Sequence, residues 1–229
     1  MKLGIMQPYL FPYIGYFQLI NAVDRFVIYD DVNYIKGGWI NRNKILVDNR
    51  EYIFTVILDH ASAFKHINKI LIKDDFVDLQ KTLYFSYHKA PHFKQVNSLL
   101  ENVFSSSEKQ LGEFIANSIG IITAYLGIDT ELIVSSRLKK NNTLKNKDKV
   151  IHICKLLGAS QYINAIGGQK LYNKKEFAAN NIELNFIKSH DIQYKQFNNE
   201  FVPWLSIIDV MMFNSKGKIK ELLGQYELI

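Results

Sequence analysis

The sequence predicts an α/β protein, a three-layer sandwich in which helices cover both faces of a mainly parallel sheet. Short apolar runs typical of buried strands alternate along the 229 residues with longer segments of helical periodicity. The first alternation, strand–turn–helix–strand, falls within residues 1–31 and is typical of a βαβ unit. Because such units build parallel sheets, we expect the later strands to extend this one.

The opening segment sets the frame of this prediction. A strand is expected at Leu3–Met6 and should stop at Pro8, because proline has no amide hydrogen to donate to a sheet ladder. A helix should begin near Tyr13, and a second strand, Phe26–Tyr29, then runs into two aspartates. The strand ends of such a unit are where ligands usually bind, so candidate site residues are sought there.

Further strands and helices alternate through the rest of the chain. The pattern predicts three helices between residues 74 and 127, others at 144–157 and 172–180, and a last one at 206–213. We interpret residues 1–229 as a single α/β domain with a helical insertion at 74–127. The additional strands are predicted at Glu51–Leu58, Glu131–Val134, Gln161–Asn164 and Ile182–Ile187.

Two helix starts carry serine signals. Ser105–Ser107, followed by Glu108, is expected to start the third helix of the insertion, because a serine side chain accepts hydrogen bonds from free amides at a helix origin. Ser206 is expected to cap the last helix, with Asp209 completing a capping box. Trp204, just before this helix, is interpreted as a core residue.

Composition and charge narrow the function classes. Hydrophobic residues make up 48% of the chain, and no stretch approaches the ~18 to 20 apolar residues of a membrane-spanning helix. The opening apolar run is too short for a signal peptide and a single cysteine fits a reducing compartment, so we expect a cytoplasmic protein. The net charge of +6 fits a phosphate-bearing small molecule better than nucleic acid, since no nucleic-acid-binding motif accompanies the basic runs.

Polar and aromatic residues crowd the predicted strand ends within residues 1–44. Aromatic rings with polar tips, carboxylates and cations are groups that bind a sugar or a nucleotide, whereas an ordinary buried turn with packed tyrosines is the alternative. The substrate-binding candidates of this stretch are Gln7, Tyr9, Tyr13, Tyr16, Asp30, Tyr34, Lys36, Trp39, Arg42 and Asn43.

The sequence also contains four notable blocks, of which the first and last are long and specific: MQPYLFPYIGYFQLI, FVIYDDVNYIKGGWINRNKIL, ICKLLGASQYINAIGGQKLY and QYKQFNNEFVPWLSIIDVMMFN. These blocks resemble the WbqC-like family, whose genes accompany surface-polysaccharide clusters in bacteria, and the resemblance spans nearly the whole chain. It implies a role in making O-antigen (lipopolysaccharide) or capsule sugars, by acyl or aminoacyl transfer to an amino sugar. It brings no catalytic residue with it.

More distantly, the opening resembles the Rossmann-like nucleotidylyltransferase fold shared with class I tRNA synthetases. Those proteins carry His-x-Gly-His at the first helix, and residues 13–16 (YIGY) keep the glycine but replace both histidines. Residues 135–137 (SSR) are similar to the Ser-Ser-Arg of pantothenate synthetases and add Ser136 as a substrate-binding candidate. Without the histidines ATP activation is disfavoured, but a phosphate cradle at Gly15 is still expected.

Catalytic candidates are few. His190, in a polar loop, is the preferred general base, with Asp31 as the other candidate. Neighbouring strand residues point to opposite faces, so one of Asp30 and Asp31 is expected to face the site and the other to cap backbone amides. No third ligand of convincing spacing accompanies them, so no metal site is predicted. Cys154 is expected in the core, since on a helix it cannot face His152.

Later loops complete the set of candidates. Gly167 and Gly168 follow a predicted strand and form either a phosphate-binding nest or a plain turn. The other substrate-binding candidates are Tyr172, Tyr194 and Gln196.

We therefore expect one crevice where the amino-terminal tyrosines, the aspartates and Arg42 meet the later glycine pair around a nucleotide-linked amino sugar. Acyl-CoA, an aminoacyl donor or ATP would be the co-substrate, and no tightly bound cofactor is expected. Two alternatives stay open: a non-catalytic protein that binds a nucleotide sugar or a glycosyltransferase, and a nucleotidyl-transferring or ATP-dependent ligase-type enzyme. A homodimer is also left open.

Overall fold

Strands and helices alternate along the chain in the computed structural model, which describes residues 1–198 and 200–229. Short 3₁₀ turns lie at Ile67–Lys69, Ser135–Arg137 and Ile166–Lys170. In chain order the other elements of the described residues are β1 (Lys2–Met6), α1 (Ile14–Asn21), β2 (Arg25–Ile28), β3 (Arg42–Val47), β4 (Arg50–Thr55), β5 (Leu58–Asp59), β6 (Leu71–Ile72), α2 (Val77–Tyr87), α3 (Phe93–Phe104), α4 (Leu111–Leu126), β7 (Glu131–Val134), α5 (Asn146–Leu156), β8 (Gln161–Ala165), α6 (Lys174–Ala178), β9 (Glu183–Ser189), α7 (Ile207–Phe213), α8 (Lys216–Leu223) and β10 (Tyr226–Leu228).

A six-stranded sheet forms the centre of the protein, in the order β10-β9-β8-β1-β2-β7. All neighbouring pairs are parallel except β10 with β9. The first pairing sets the register: Leu3 of β1 lies opposite Arg25 of β2, and on its other side opposite Tyr162 of β8. The prediction of an α/β protein with a mainly parallel sheet is therefore confirmed.

The direction of the strand order reverses between β1 and β8. From β1 the chain moves outward to β2 and β7 on one side, and then to β8 and β9 on the other. In sheets of this kind the carboxyl ends of the strands beside the reversal leave a crevice in which ligands bind. In this protein that edge carries the segments after Met6, Ile28, Val134, Ala165 and Ser189.

Helices cover both faces of the sheet. On one face α1 contacts β8 and β9, and α8 packs against α1. On the other face the buried residues of α5 and α6, Cys154 and Phe177 among them, pack with Tyr162 of β8. Cys154 is fully buried as predicted, and burial raises the pKa of its thiol to about 12, so this cysteine is a core residue rather than a nucleophile.

The connection from β2 to β7 differs from the prediction. The strand expected at Glu51–Leu58 does not join the central sheet, because β4 pairs antiparallel with β3 in a separate two-stranded hairpin. Asp48 and Asn49 link the two strands with φ of 48° and 62°. Two successive residues in the left-handed backbone conformation form the tight turn that favours a local hairpin. This turn reverses the chain, so that β4 pairs with β3.

The serine triplet does not start α4. Its first turn is capped instead by Gln110, whose side-chain oxygen accepts a hydrogen bond from Glu113 N at 2.7 Å. The helix consequently begins at Leu111, several residues after Ser105–Ser107. A helix begins where a side chain accepts hydrogen bonds from the free amides of its first turn, and in α4 that side chain is Gln110.

The end of the chain also contains more structure than predicted. Ser206 caps α7 as expected, accepting a hydrogen bond from Ile208 N at 3.2 Å, but Asp209 is buried and completes no capping box. Ser215 then starts a second short helix, α8, by accepting from Lys218 N, and β10 follows as the antiparallel edge strand. Within the described residues no helix has the length and apolar character needed to cross a membrane.

Candidate functional site

Two aromatic rings meet at the start of α1. Tyr13 ends the loop after β1, and Trp204 lies two residues before the cap of α7. Their ring centroids are 5.3 Å apart. Trp204 is 61% exposed and has a φ of 62°, in the left-handed region that bulky residues rarely adopt. A large exposed ring in a costly backbone conformation is typical of a binding site.

A cavity of about 320 Å³ opens beside this ring pair. We call it the His190 cavity, because its polar lining comes from the segment that follows β9. Tyr13, Trp204 and Val210 are among its apolar and aromatic lining residues. The polar lining residues are His190, Asp191, Gln193 and Tyr194.

A second cavity, of about 260 Å³, shares Tyr13 and Trp204 with the first. We call it the Trp39 cavity, and we call the two together the aromatic cleft. Both tryptophans of the chain therefore line the Trp39 cavity, which adjoins the His190 cavity at Tyr13 and Trp204. The other residues that line the Trp39 cavity are Tyr9, Pro12, Asn43 and Lys44.

Positive charge gathers at the Trp39 end of the cleft. Arg42 Cζ lies 5.3 Å and Lys44 Nζ 5.8 Å from the centroid of the Trp39 ring. Lys44 also pairs with Glu51 at 2.6 Å, and Arg42 donates to the carbonyl oxygen of Gly37. Among the described residues Arg42 Nε is buried without a hydrogen-bond partner. This end of the cleft is suited to a phosphate group.

The tyrosines of the cleft stay protonated near neutral pH. Burial raises the pKa of Tyr9, and burial together with the nearby Asp191 carboxylate raises the pKa of Tyr13. These phenols are therefore hydrogen-bond donors rather than bases. His190 is exposed, and within the described part of the chain its ring forms no hydrogen bond.

Asn43 and Tyr34 are both buried and hydrogen-bonded within the protein. Asn43 is buried, and its amide donates to the carbonyl oxygens of Leu10 and Phe11 at 3.1 and 2.8 Å, which fixes the loop after β1. Tyr34 is also buried and donates to Asn41 Oδ1 at 2.8 Å. Lys36 is exposed. Of these candidates, only Asn43 lines the cleft.

Residues 13–16 are packed by the protein itself. Tyr16 is buried and donates to the carbonyl oxygen of Gln7 at 3.1 Å. A Cβ on Gly15 would lie 2.9 Å from the Ser189 hydroxyl and 3.0 Å from the Tyr13 ring. The glycine thus allows α1 to approach the end of β9, and this space is filled by protein side chains rather than open to a phosphate.

Asp30 caps the turn that follows β7. It is fully buried and accepts hydrogen bonds from the amide and the hydroxyl of Ser136, at 2.8 and 2.6 Å. Ser136 therefore contacts Asp30, and neither residue lines the aromatic cleft. Of the two aspartates, Asp30 is the one that caps a backbone amide.

Asp31 pairs with two buried lysines on the face of the sheet that α5 covers. Lys140 Nζ and Lys149 Nζ each lie 2.9 Å from Asp31 Oδ2, and both ammonium groups are almost fully buried. Burial alone would raise the pKa of Asp31, but hydrogen bonds from Ser135, Lys140 and Lys149 outweigh it and the pKa is lowered. Asp31 Oδ1 and Ser135 Oγ nevertheless lack a partner of ordinary hydrogen-bond geometry among the described residues. A carboxylate held this way is a weak base.

The glycine pair lies at the end of β8. Gly168 is buried, and a Cβ there would lie 2.6 Å from Asn164 Nδ2, so this glycine serves close packing. Gly167 is exposed with no atom near its Cβ position. Tyr172 lines a third cavity, of about 560 Å³, at the start of α5. These residues are not part of the aromatic cleft.

The single crevice expected from the sequence is thus wrong, because the strand ends project on two faces of the sheet. The Asp31 cluster and Tyr172 lie with the α5 face, whereas the cleft lies beside α1. Arg42 lies beside the cleft, where its guanidinium contacts the Trp39 ring, and Gln196 is buried behind the cleft. The predicted candidates that line the cleft are Tyr9, Tyr13, Trp39, Asn43, His190 and Tyr194.

Sequence reasoning missed several residues of these sites. The prediction that Trp204 is a core residue is wrong, because the residue is exposed. Its position before the Ser206 cap, outside the apolar face of α7, is the sequence feature that could have indicated this exposure. Asp191, Gln193 and Lys44 line the cleft beside predicted candidates. No sequence pattern indicates that Lys140 and Lys149 contact Asp31, since 109 or more residues separate them from it in the chain.

These features define the class of protein: an α/β protein with an aromatic, partly cationic cleft at the carboxyl edge of its sheet. Comparison with protein families adds a match to the WbqC-like protein family over residues 7–221, and the chain belongs to that family. A curated relative, the "uncharacterized protein Rv1507c" of Mycobacterium tuberculosis, is 29% identical over 231 residues, which cover 97% of each chain. No solved structure gave a significant match.

Proposed function

We propose that this protein transfers an acyl or aminoacyl group to the amine of a nucleotide-linked amino sugar, in the biosynthesis of a bacterial surface polysaccharide. The observation that carries the proposal is the contact of the exposed Trp204 ring with the half-buried Tyr13 ring, between a cavity lined by His190 and a cavity lined by Lys44. An apolar ring face suits the C–H face of a sugar, while the polar groups around it suit the hydroxyls. Family membership supports a role in polysaccharide synthesis.

The charges of the cleft suggest how the substrate would lie. The phosphates would lie near Lys44 and Arg42, with the base against Trp39. The sugar would then occupy the His190 cavity, beside the hydrogen-bonding groups of the segment after β9. The reversal of strand order between β1 and β8, a Rossmann-like arrangement, supports a nucleotide at this edge.

In the chemical step the amine nitrogen would attack the acyl carbonyl carbon and form an amide bond, and His190 would accept the proton that the amine loses. The bond between that carbon and the donor would break, and the donor's carrier group, a CoA thiolate in the case of acyl-CoA, would leave. The geometry favours His190 over Asp31 as the base, because two buried ammonium groups already hold the Asp31 carboxylate. The co-substrate in this proposal is acyl-CoA or an aminoacyl donor, or ATP together with a free carboxylic acid that it would activate, and the protein would act in the cytoplasm.

One observation favours a second candidate, a non-catalytic protein that binds a nucleotide sugar. A general base is usually oriented by a neighbouring group, yet among the described residues no hydrogen bond orients the His190 ring. Nucleotidyl transfer has less support, since Gly15 and Tyr16 are occupied by contacts within the protein.

Intrinsic fluorescence tests binding directly, because both tryptophans line the cleft. Titration with UDP- or dTDP-linked amino sugars should quench the tryptophan emission. W204F and W39F should each lose the part of the quenching that comes from the replaced tryptophan. Free amino sugar should bind more weakly than its nucleotide-linked form. A flat titration across the panel would overturn the proposal.

Turnover separates the enzyme from the binding protein. Incubation with nucleotide-linked amino sugars and acyl-CoA or aminoacyl donors should produce the mass gain of one acyl group on the sugar. H190N should abolish this gain without abolishing the fluorescence titration, while H88N, at an exposed histidine outside the cleft, should change neither. Binding without turnover, insensitive to H190N, would favour the non-catalytic candidate.

A further inference from the structure

Trp204 is held in a conformation that its own side chain does not favour. Its φ is 62° and its ring is 61% exposed. An exposed ring gains little from burial, so other contacts must hold the backbone in this strained region. We call residues 190–198 and 200–205 the cavity loop, because this part of the chain carries both His190 and Trp204.

Few backbone hydrogen bonds hold the described residues of the cavity loop. Among its described residues, the backbone–backbone hydrogen bond is that of His190 N to Gln225 O, at 3.0 Å, at the beginning of the loop. The next such bond, from Ser206 N to Lys44 O at 2.8 Å, lies just beyond its end. The side-chain contacts of the described loop residues therefore add support to its path.

Gln196 closes the loop on itself. Its side-chain nitrogen donates to Val202 O at 3.1 Å, and its side-chain oxygen accepts from Val202 N at 2.7 Å. This two-bond contact resembles a strand pairing, and the Gln196 side chain that makes it is buried. Pro203 follows, with its φ fixed by the ring, and Trp204 comes next.

Asp209 on α7 binds the loop from behind. It is fully buried, and its Oδ1 accepts hydrogen bonds from Tyr194 Oη at 2.6 Å and from Gln196 Nε2 at 2.7 Å. Its Oδ2 accepts from Tyr87 Oη at 2.8 Å, and that phenol oxygen accepts from Leu46 N. These donors are uncharged, and burial raises the pKa of Asp209. A buried carboxylate of this kind is costly unless its hydrogen bonds are complete.

We propose that Asp209 is a positioning residue of the aromatic cleft: through Tyr194 and Gln196 it latches the cavity loop to α7 and so holds Trp204 against Tyr13. The latch itself is a property of the ligand-free protein. Its consequence for substrate binding rests on the proposed function.

The latch is testable by ¹⁹F NMR of the full chain labelled with 5-fluorotryptophan, in a W39F background that leaves Trp204 as the single reporter. The Tyr13 ring beside Trp204 should displace its resonance from that of free 5-fluorotryptophan. D209L keeps the volume of the side chain but removes both acceptors, and Q196L removes the clasp and one bond to Asp209. Both should move the resonance toward the free position and broaden it.

Two further variants separate a latch from general loosening. D209N can turn its remaining oxygen toward Tyr194 and Gln196, so its resonance should stay at the W39F position. Y87F loses the bond to Oδ2, on the side away from the loop, and should also leave the resonance in place. Circular dichroism must show that each variant is folded, and Q196L serves as the test where D209L is not.

An unmoved resonance in folded Q196L and D209L would overturn the proposal, and so would a Y87F shift as large as that of D209L. Because these spectra need no ligand, they stand apart from the proposed function. A working latch would be seen even if no nucleotide-linked amino sugar bound. If such a ligand does bind, Q196L should lower its affinity more than Y87F does.

Discussion

The rings of Tyr13 and Trp204 pack with their centroids 5.3 Å apart and their planes inclined by 45°. Tyr13 ends the loop after the first strand, and Trp204 precedes the seventh helix. Two cavities share this pair, one with the groups of the segment after β9 and one with Trp39 and its cations. The contact therefore joins two parts of the candidate site that come from opposite ends of the chain.

The strain at Trp204 predicts an unusual order of stabilities. W204A and W204G both lose the contact with Tyr13, but alanine keeps the left-handed strain and glycine does not. We expect W204A to be less stable than W204G by about 0.5–1 kcal/mol, measured by urea denaturation. The same pair at Trp39, a position where no left-handed φ occurs, should give the opposite order. Equal stabilities of W204A and W204G would show that the backbone there is unstrained.

The buried charge cluster predicts an asymmetry between its members. D31N leaves two buried ammonium groups without a counter-charge and should cost about 3–5 kcal/mol of unfolding free energy. K140M or K149M leaves Asp31 paired with the other lysine, so each should cost less. E221Q, at the exposed pair with Lys218, should cost under about 0.5 kcal/mol and is the control. A D31N variant as stable as E221Q would contradict the assignment.

Asp209 predicts a pH dependence of stability. Because burial raises its pKa in the folded state above the ordinary 3.8, its contribution to stability is complete below pH 3.8 and is lost as the pH rises through the raised pKa. The wild type should therefore lose free energy of unfolding relative to D209N as the pH rises through this window. Urea denaturation of both proteins at a series of pH values measures the difference. A constant difference would mean that the pKa of Asp209 is unshifted.

The two neighbouring glycines after β8 predict opposite tolerances. G168A places a methyl group 2.6 Å from Asn164 Nδ2, and Asn164 is held by its own bond to Ala165 N. The variant should lose about 1–3 kcal/mol by overpacking. G167A meets no atom within 4 Å and should be close to wild type, which makes it the matched control. Thermal unfolding of both variants is sufficient, and equal losses would contradict the packing role of Gly168.

Much of the architecture could be predicted from the sequence. Alternating apolar runs and helical periodicity predicted five strands of a mainly parallel sheet, and the structure places these strands at residues 2–6, 25–28, 131–134, 161–165 and 183–189. These elements are local patterns whose apolar faces leave few ways to be buried. The core position of Cys154 followed from the same periodicity.

The hairpin and the site depended on the tertiary structure. A run of β-branched and aromatic residues such as that of β4 does not specify its partner, and the turn at Asp48 and Asn49 decided the pairing. The lysines on Asp31 and the ring beside Tyr13 come from distant segments, and chain topology alone brings them together.

The sequence by itself therefore determined the class of fold, the family and several residues of the cleft, because each depends on local pattern or composition. The tertiary structure decided which strand-end residues face one another, because the sheet sends neighbouring side chains to opposite faces. That separation placed Asp31 among buried lysines and left Trp204, with His190, to form the cleft.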